Sequence, residues 1–381
     1  MARSAPPDLA AWIDPPFARR VVSWQRAHGR QTLPWQNTHD PYRIWLSEIM
    51  LQQTQVATVI PYYERFLARF PTVDRLAEAP ESEVMALWAG LGYYTRARNL
   101  HRCARAVMAD HAGRFPDTAE ALAGLPGIGR STAGAIAAFA YGRRSPILDG
   151  NVRRVFARHF GIEGDPGAAP VQRLMWERAE AELPRPAAGK PAFPEEVQRE
   201  VMRAYTQGLM DLGATLCTRS APRCGSCPVH DSCIARRDGR QHELPAPRQR
   251  RPLPTRNTQL LWVVQHDRVL LQQRPPQGIW GGLLSLPEFE GTNAESACRQ
   301  LGLEPLRVQP LPSFLHTFTH FHLHATPWRV EVRPGQLEHD SSLCWVAQAE
   351  LPEAPLPAPI RKLLTATLPL SFDARCACES P

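Results

Sequence analysis

Two acidic residues stand where a carboxyl could do chemistry. Glu48 lies in Trp45-Leu46-Ser47-Glu48-Ile49-Met50-Leu51-Gln52-Gln53-Thr54-Gln55, an apolar run in which an acid is unusual. An apolar surround raises a carboxyl's pKa and keeps its proton available near neutrality, which a general acid needs. Read as one helix, Glu48, Gln52 and Gln55 share a face, and uncharged amides can hydrogen-bond bases without repelling phosphates. A solvated stripe is the ordinary alternative for a lone Glu. Asp149 stands in Ile147-Leu148-Asp149-Gly150-Asn151-Val152-Arg153-Arg154-Val155, where capping a helix that starts near Gly150 is its plain role. Helix N–H groups also favour an ionised carboxylate, so its pKa is expected low. One raised and one lowered pKa is the pairing that splits a glycosidic bond through a cation-like transition state.

Leu125-Pro126-Gly127-Ile128-Gly129-Arg130-Ser131-Thr132-Ala133 precedes an Ala-rich stretch. Glycines at 127 and 129 permit a tight turn and close approach of a ligand. The helix that follows offers N–H groups and a positive dipole end to a phosphate. A bare G-x-G would be read as a simple helix–helix turn; the longer pattern favours phosphate binding. Four of the nine cysteines, Cys217, Cys224, Cys227 and Cys233, fall within 17 residues. Such clustering points to a metal centre, with zinc the first generic candidate and a four-iron cubane the second.

These residues need elements to hold them. Helical periodicity marks Tyr62 to Phe70, Val84 to Leu91, Val171 to Glu182 and Glu195 to Leu212. Gly/Pro-rich loops separate some of them, including an unusually long one at Leu183 to Pro194. Ala235 to Asn257 holds seven arginines and four prolines and reads as a linker. Beyond it the period switches to two. Gln259 to Val264 and Arg268 to Gln273 suggest a hairpin about His266-Asp267, with further strands at Ser313 to His324 and Trp328 to Val332 and a short helix at Glu295 to Leu301.

With 381 residues, 43% hydrophobic and 21% charged, the chain can build two cored domains, which excludes wholesale disorder. No apolar run reaches membrane-spanning length, and no signal-peptide run opens the chain, so a cytoplasmic protein is expected. The net charge is +7, and only Lys190 and Lys362 of the 44 basic residues are lysine. A genomic bias explains the arginine best, although guanidinium groups also suit phosphate contact.

Taken together, Thr32 to Trp35, Trp45 to Pro61, Leu87 to Leu100, the glycine hairpin, Ile147 to Arg154, Met210-Asp-Leu-Gly213 and the four cysteines resemble the MutY family of adenine-specific DNA glycosylases, in the helix-hairpin-helix superfamily. The likeness runs from about Trp24 to Leu364. It implies a multidomain fold: an all-α helix-hairpin-helix glycosylase domain over 1–234, with a [4Fe-4S] cluster on Cys217, Cys224, Cys227 and Cys233. A linker over 235–257, a small α/β Nudix-like lesion-recognition domain over 258–370 and a tail over 371–381 follow. It implies double-stranded DNA carrying A:8-oxoguanine or A:G mispairs as the partner, a flipped adenine as the substrate, a monomer, and a place beside the nucleoid in a bacterium. The catalytic set would be Glu48, which protonates adenine at N7, Asp149, which stabilises the oxocarbenium sugar, and Asn151, which orients the site. Gln52, Gln53, Tyr93, Gly127, Gly129 and Ser131 would touch DNA, Gln53 and Tyr93 as probe or wedge.

Ser131 occupies the position where bifunctional relatives such as endonuclease III carry a Schiff-base lysine, so a monofunctional enzyme is expected. The family often has lysine at Arg153. Gln272 to Pro287 carries the Nudix likeness, but the following Glu295 to Gly302 lacks the paired glutamates that a divalent ion requires, so recognition is expected there rather than hydrolysis. In His316 to His324, Phe318, Thr319 and His320 match the family's 8-oxoguanine sensor, with threonine where serine is usual. A bifunctional glycosylase/lyase and a non-catalytic iron–sulfur damage sensor are the alternatives; Ser131 weighs against the first, and the presence of both Glu48 and Asp149 against the second.

Overall fold

The computed structural model describes residues 9–247, 252–275, 277–291, 293–334 and 342–366. The tail expected at 371–381 lies outside the described residues, as does the middle of the expected linker. The chain forms two compact units, Met1–Glu78 with Asn99–Arg250, and Ala79–Arg98 with Arg251–Pro381. No helix among the described residues is long and apolar enough to cross a membrane.

The first unit is helical. Helices Pro16–His28, Gly150–His159 and Glu195–Asp211 meet on a core that includes Val21, Val22, Val152, Phe156, Met202, Tyr205 and Leu209. Small residues let the helix Arg130–Tyr141 sit tightly inside it: Ala133, Ala135, Ala137 and Ala138 are buried. A Cβ added at Gly134 would stand 2.3 Å from the Pro146 carbonyl oxygen, so only glycine lets the segment leading to Asp149 lie against this helix. Two expectations change here. The helix Pro41–Leu51 ends before Gln52, which is its C-cap, and Gln55 caps the next helix, Val56–Arg69; the glutamines therefore lie at a helix–helix turn and do not extend the Glu48 face. Residues 235–247 are packed and not a free tether: Ala235 and Leu244 are buried, and Arg158 donates to the Leu244 carbonyl at 2.8 Å.

The second unit is built on a sheet ordered Leu343–Ala347, Arg268–Gln273, Thr255–Gln265, His322–Val332, Pro305–Pro310. The pair Thr255–Gln265 and His322–Val332 is parallel; the other pairs are antiparallel. Leu260 to Val264 are all buried, because this central strand is covered on both faces, and a run so covered does not alternate. The hairpin at His266-Asp267 forms as expected, with Val264 opposite Val269. The stretch 313–324 is broken into the strand Phe314–Thr317 and the start of His322–Val332 by a turn at 318–321, and the latter strand absorbs the one expected at Trp328 to Val332. The short helix Ala294–Gln300 packs Ala294, Ala297 and Cys298 on Leu261, Val263 and Val330. Residues 79–98, expected with the helical domain, group with this sheet unit.

Candidate active site

Glu48 sits in the last turn but one of Pro41–Leu51, beside buried Ser47 and Ile49. The residue is half-buried, and burial of its carboxyl, with the charge of Asp149 added, raises its pKa to about 8. Asp149 caps Gly150–His159 by accepting from the Val152 N–H at 2.8 Å. Its pKa is raised, not lowered as the sequence suggested. Burial outweighs the Val152 and Asn151 N–H bonds and the charges of Arg154 and Arg153. Those four groups still favour its anion, whereas the two causes acting on Glu48, its burial and the charge of Asp149, both favour its protonated form. Of these two electrostatically coupled carboxyls, Glu48 is the one whose surroundings favour the proton.

Several side chains fix this pair. Ser131 accepts from the Leu148 N–H at 2.9 Å, one residue before Asp149. Arg153 donates to the Leu148 carbonyl at 3.2 Å. Asn151 Oδ1 accepts from Arg154 at 2.8 Å, and Arg154 also donates to the carbonyls of Gly213 and Cys217 at 2.7 Å each. Gln52 Nε2 donates to Thr132 Oγ1 at 3.3 Å, joining the end of its helix to the start of Arg130–Tyr141. Gln53 follows with φ 58°, a left-handed conformation strained for a side chain of this kind. In the glycine hairpin Ile128 is buried, whereas Gly127 (φ 77°) and Gly129 are exposed.

Glu48 also lines a cavity of about 810 Å³ with Arg30, Trp35, Phe139, Arg203 and Gln207. Asp211, fully buried, accepts from the Arg30 N–H and guanidinium at 2.9 and 2.7 Å and from Gln207 Nε2 at 2.8 Å. Because an ionised carboxylate only accepts, Gln207 must spend its nitrogen there, which leaves its oxygen for a donor. Sequence reasoning did not single out Arg30 or Gln207, and it cited Asp211 only within Met210–Gly213, with no role of its own. The signal was present in Leu209-Met210-Asp211-Leu212, an acid in an apolar run like that around Glu48.

The four cysteines line one small cavity of about 30 Å³, shared with Leu216, Pro222 and Arg158. Arg158, buried, donates to Cys217 Sγ at 3.4 Å and to the Thr218 and Arg219 carbonyls. Burial pushes the Cys227 thiol up to about 12 and raises that of Cys233, so these two thiols hold their protons until a cation displaces them. Among the described residues no group of three or more His, Cys, Asp or Glu is arranged around a single ion. Four cysteine sulfurs lining one pocket, with a guanidinium beside them, are a donor set that suits a zinc ion and an iron–sulfur cluster alike.

In the second unit Tyr93 is 47% exposed and left-handed (φ 51°). Arg96 lies over its ring and over that of Trp88, each at 5.3 Å. At the turn 318–321 Thr319 and His320 are exposed, with Thr319 Oγ1 at 3.4 Å from His320 Nδ1. Phe318 is stacked on Phe321 at 4.7 Å. On the helix Ala294–Gln300 the one glutamate, Glu295, pairs with Arg299 at 3.4 Å.

Residues 46–181 match the model of the HhH-GPD superfamily base excision DNA repair proteins, and residues 259–366 that of the NUDIX domain. The chain is 33% identical over 353 residues to an adenine DNA glycosylase of Buchnera aphidicola, which covers 91% of this chain and 96% of the relative. To the human adenine DNA glycosylase it is 33% identical over 372 residues, 81% of this chain and 65% of the relative. Among solved structures, a thermostable thymine-DNA glycosylase superposes with a TM-score of 0.50 at 28% identity, over 58% of this chain and 95% of that one.

Proposed function

The chain belongs to the adenine DNA glycosylases, base-excision-repair hydrolases that remove adenine from DNA, and on that premise we propose that it excises adenine opposite 8-oxoguanine or guanine by a monofunctional mechanism. The observation that carries this reading is the buried Glu48, raised to about 8 against the carboxylate of Asp149. Adenine is a poor leaving group. Glu48 gives its proton to N7 of the flipped base, and the C1′–N9 electron pair departs with the purine. Asp149 faces the cationic sugar that remains, Asn151 orients the site, and water completes the hydrolysis. Proton donation contributes on the order of 10²–10⁴-fold, and a placed anion roughly 3–4 kcal/mol. Arg30 and Gln207 line the base pocket, where the Gln207 oxygen would accept from the exocyclic amine that distinguishes adenine from a 6-oxopurine.

The glycine hairpin, with Gly127, Gly129 and Ser131, would hold a phosphate, while Gln52, Gln53 and Tyr93 engage the duplex from which the base has left. The strained backbones of Gln53 and Tyr93 support such roles. The Ser131 hydroxyl cannot form an iminium and is already engaged by the Leu148 N–H. We assign Cys217, Cys224, Cys227 and Cys233 to a [4Fe-4S] cluster, which would brace the loop that presents the Cys217 and Gly213 carbonyls to Arg154. The lesion-recognition domain is placed at 258–370, with Phe318, Thr319 and His320 reading 8-oxoguanine; the protein would act as a monomer on chromosomal DNA in the cytoplasm.

The test is a duplex with one adenine opposite 8-oxoguanine and a second with guanine there. The reading requires release of free adenine, an alkali-labile abasic site, and no borohydride-trapped adduct in the active-site pocket. Tight binding with no released adenine would favour a damage sensor instead.

A further inference from the structure

The second unit brings two of these probes together. Residues 79–98 and the turn Gly278 to Gly282 lie in the same compact body. Trp280, buried and held at φ 52°, faces Phe318 at 5.9 Å and His316 at 6.1 Å, so it backs the turn that carries Thr319 and His320. The next carbonyl, that of Gly281, accepts a hydrogen bond from the Arg98 guanidinium. A Cβ built on Gly282 would stand 3.6 Å from Arg98 Nη1 and 3.9 Å from Met85 Cε, which places this turn in van der Waals contact with both. Arg98 in turn belongs to the turn of backbone that presents Tyr93: its N–H donates to the Tyr94 carbonyl at 3.2 Å, and that of Arg96 to the Tyr93 carbonyl at 2.8 Å.

We propose that Arg98 is a positioning residue that ties the Tyr93 wedge to the Trp280 turn behind Phe318, so that wedge and lesion reader engage a mispair as one body. This rests on the lesion-reading role given above to Phe318, Thr319 and His320. Two residues with strained backbones, Tyr93 and Trp280, stand at the two ends of the tie, and strain of this kind persists only where the surroundings enforce it. Arg98 reaches Gly281 with a charge-assisted donor, stronger than a neutral one. A wedge held this way is set by whatever seats the reader on the opposite base, and preference for 8-oxoguanine then depends on a residue that touches no base.

Single-turnover excision on two duplexes, identical except for 8-oxoguanine or guanine opposite adenine, tests this in the full-length protein. The quantity read is the ratio of the two rates. Phe318→Ala lowers the ratio. Arg98→Met lowers it roughly ten-fold, the scale of one hydrogen bond from a charged group, with the A:G rate little changed. Arg98→Lys, which keeps a charged donor, restores most of it, and the double variant is no worse than the more affected single. Should Arg98→Met fail to fold, as circular dichroism would reveal, Arg98→Gln carries the same comparison. If Phe318→Ala loses the ratio while the Arg98 variants keep it, or if the two losses multiply, the tie is overturned and the lesion reading stands. A wild-type ratio of one, or a ratio unaffected by Phe318→Ala, overturns the lesion reading and the tie with it.

Discussion

On the proposed mechanism a proton on Glu48 is the smallest unit on which the activity depends, and its pKa of about 8 gives it a measurable pH signature. Above that value the acid is lost, so single-turnover excision should fall as pH rises through about 8, in contrast to an unperturbed glutamate, which would have lost its acid form far lower. A rate flat from 7 to 9 would contradict the assignment. Stability follows the same carboxyl. Its folded pKa stands above the ordinary 4.5, so the unfolded chain ionises first as pH rises. The resulting loss of stability accumulates between about 4.5 and about 8 and then levels off. Glu48→Gln removes that loss; in urea unfolding it should gain on wild type across this window while losing on the order of 10²–10⁴-fold in excision and keeping lesion binding. Asp149→Asn retains a capping side chain, since asparagine caps as well as aspartate, and so should keep its helical circular dichroism while losing on the order of 10²-fold in rate. The acid in an apolar run was legible from residue types alone. The direction of the Asp149 shift was not, because a cap motif reports the N–H groups around a carboxyl and nothing about the depth at which they are buried.

Elements turn these residues into a site by short links between neighbours in space. The helix Arg130–Tyr141 is the hub: Ser131 holds the Leu148 N–H and Thr132 receives Gln52. Ser131→Ala would leave a buried N–H without its acceptor, at a cost of about 1–3 kcal/mol. We expect urea unfolding to register that cost, and excision to fall more than DNA binding, because the segment it releases carries Asp149. At Gly127 a Cβ would meet Asn99 Cβ at 2.6 Å on a backbone at φ 77°. Gly127→Ala should therefore cost on the order of 1–3 kcal/mol and weaken binding of any duplex, mispaired or not; an unchanged dissociation constant would remove the hairpin from the phosphate-binding role. Periodicity located the helices Val56–Arg69, Glu81–Trp88, Ala169–Ala181 and Glu195–Asp211 and the His266-Asp267 hairpin, because those follow from local spacing. It ran Glu48's helix on through Gln52 and Gln55, since the sharp turn at Gln53 is strained and leaves no glycine or proline to announce it. It also left residues 79–98 with the helices around them in sequence. Their grouping with a sheet that begins at Thr255 rests on long-range packing, which no local pattern encodes.

At the scale of the molecule the excess of positive charge, +7 over 381 residues and carried almost wholly by arginine, bears on affinity and specificity in different ways. Phosphate contacts release counterions, so each one adds about −0.9 to the slope of log K against log salt. Binding to any duplex should weaken steeply as salt rises, and a matched duplex should show nearly the same slope as a mispaired one, because the backbone charge is identical in both. On the proposed assignment, reading of 8-oxoguanine would rest on base contacts through Phe318, Thr319 and His320 and would release no further counterions. The ratio of dissociation constants for A:8-oxoguanine and A:T duplexes should therefore stay level across the titration while both constants climb. Fluorescence anisotropy over a range of potassium chloride measures both at once. A ratio that collapses toward one at high salt would mean that the preference itself is made of phosphate electrostatics, and the sheet unit would then be a charged clamp, with the discrimination lying at the adenine pocket around Glu48, Arg30 and Gln207.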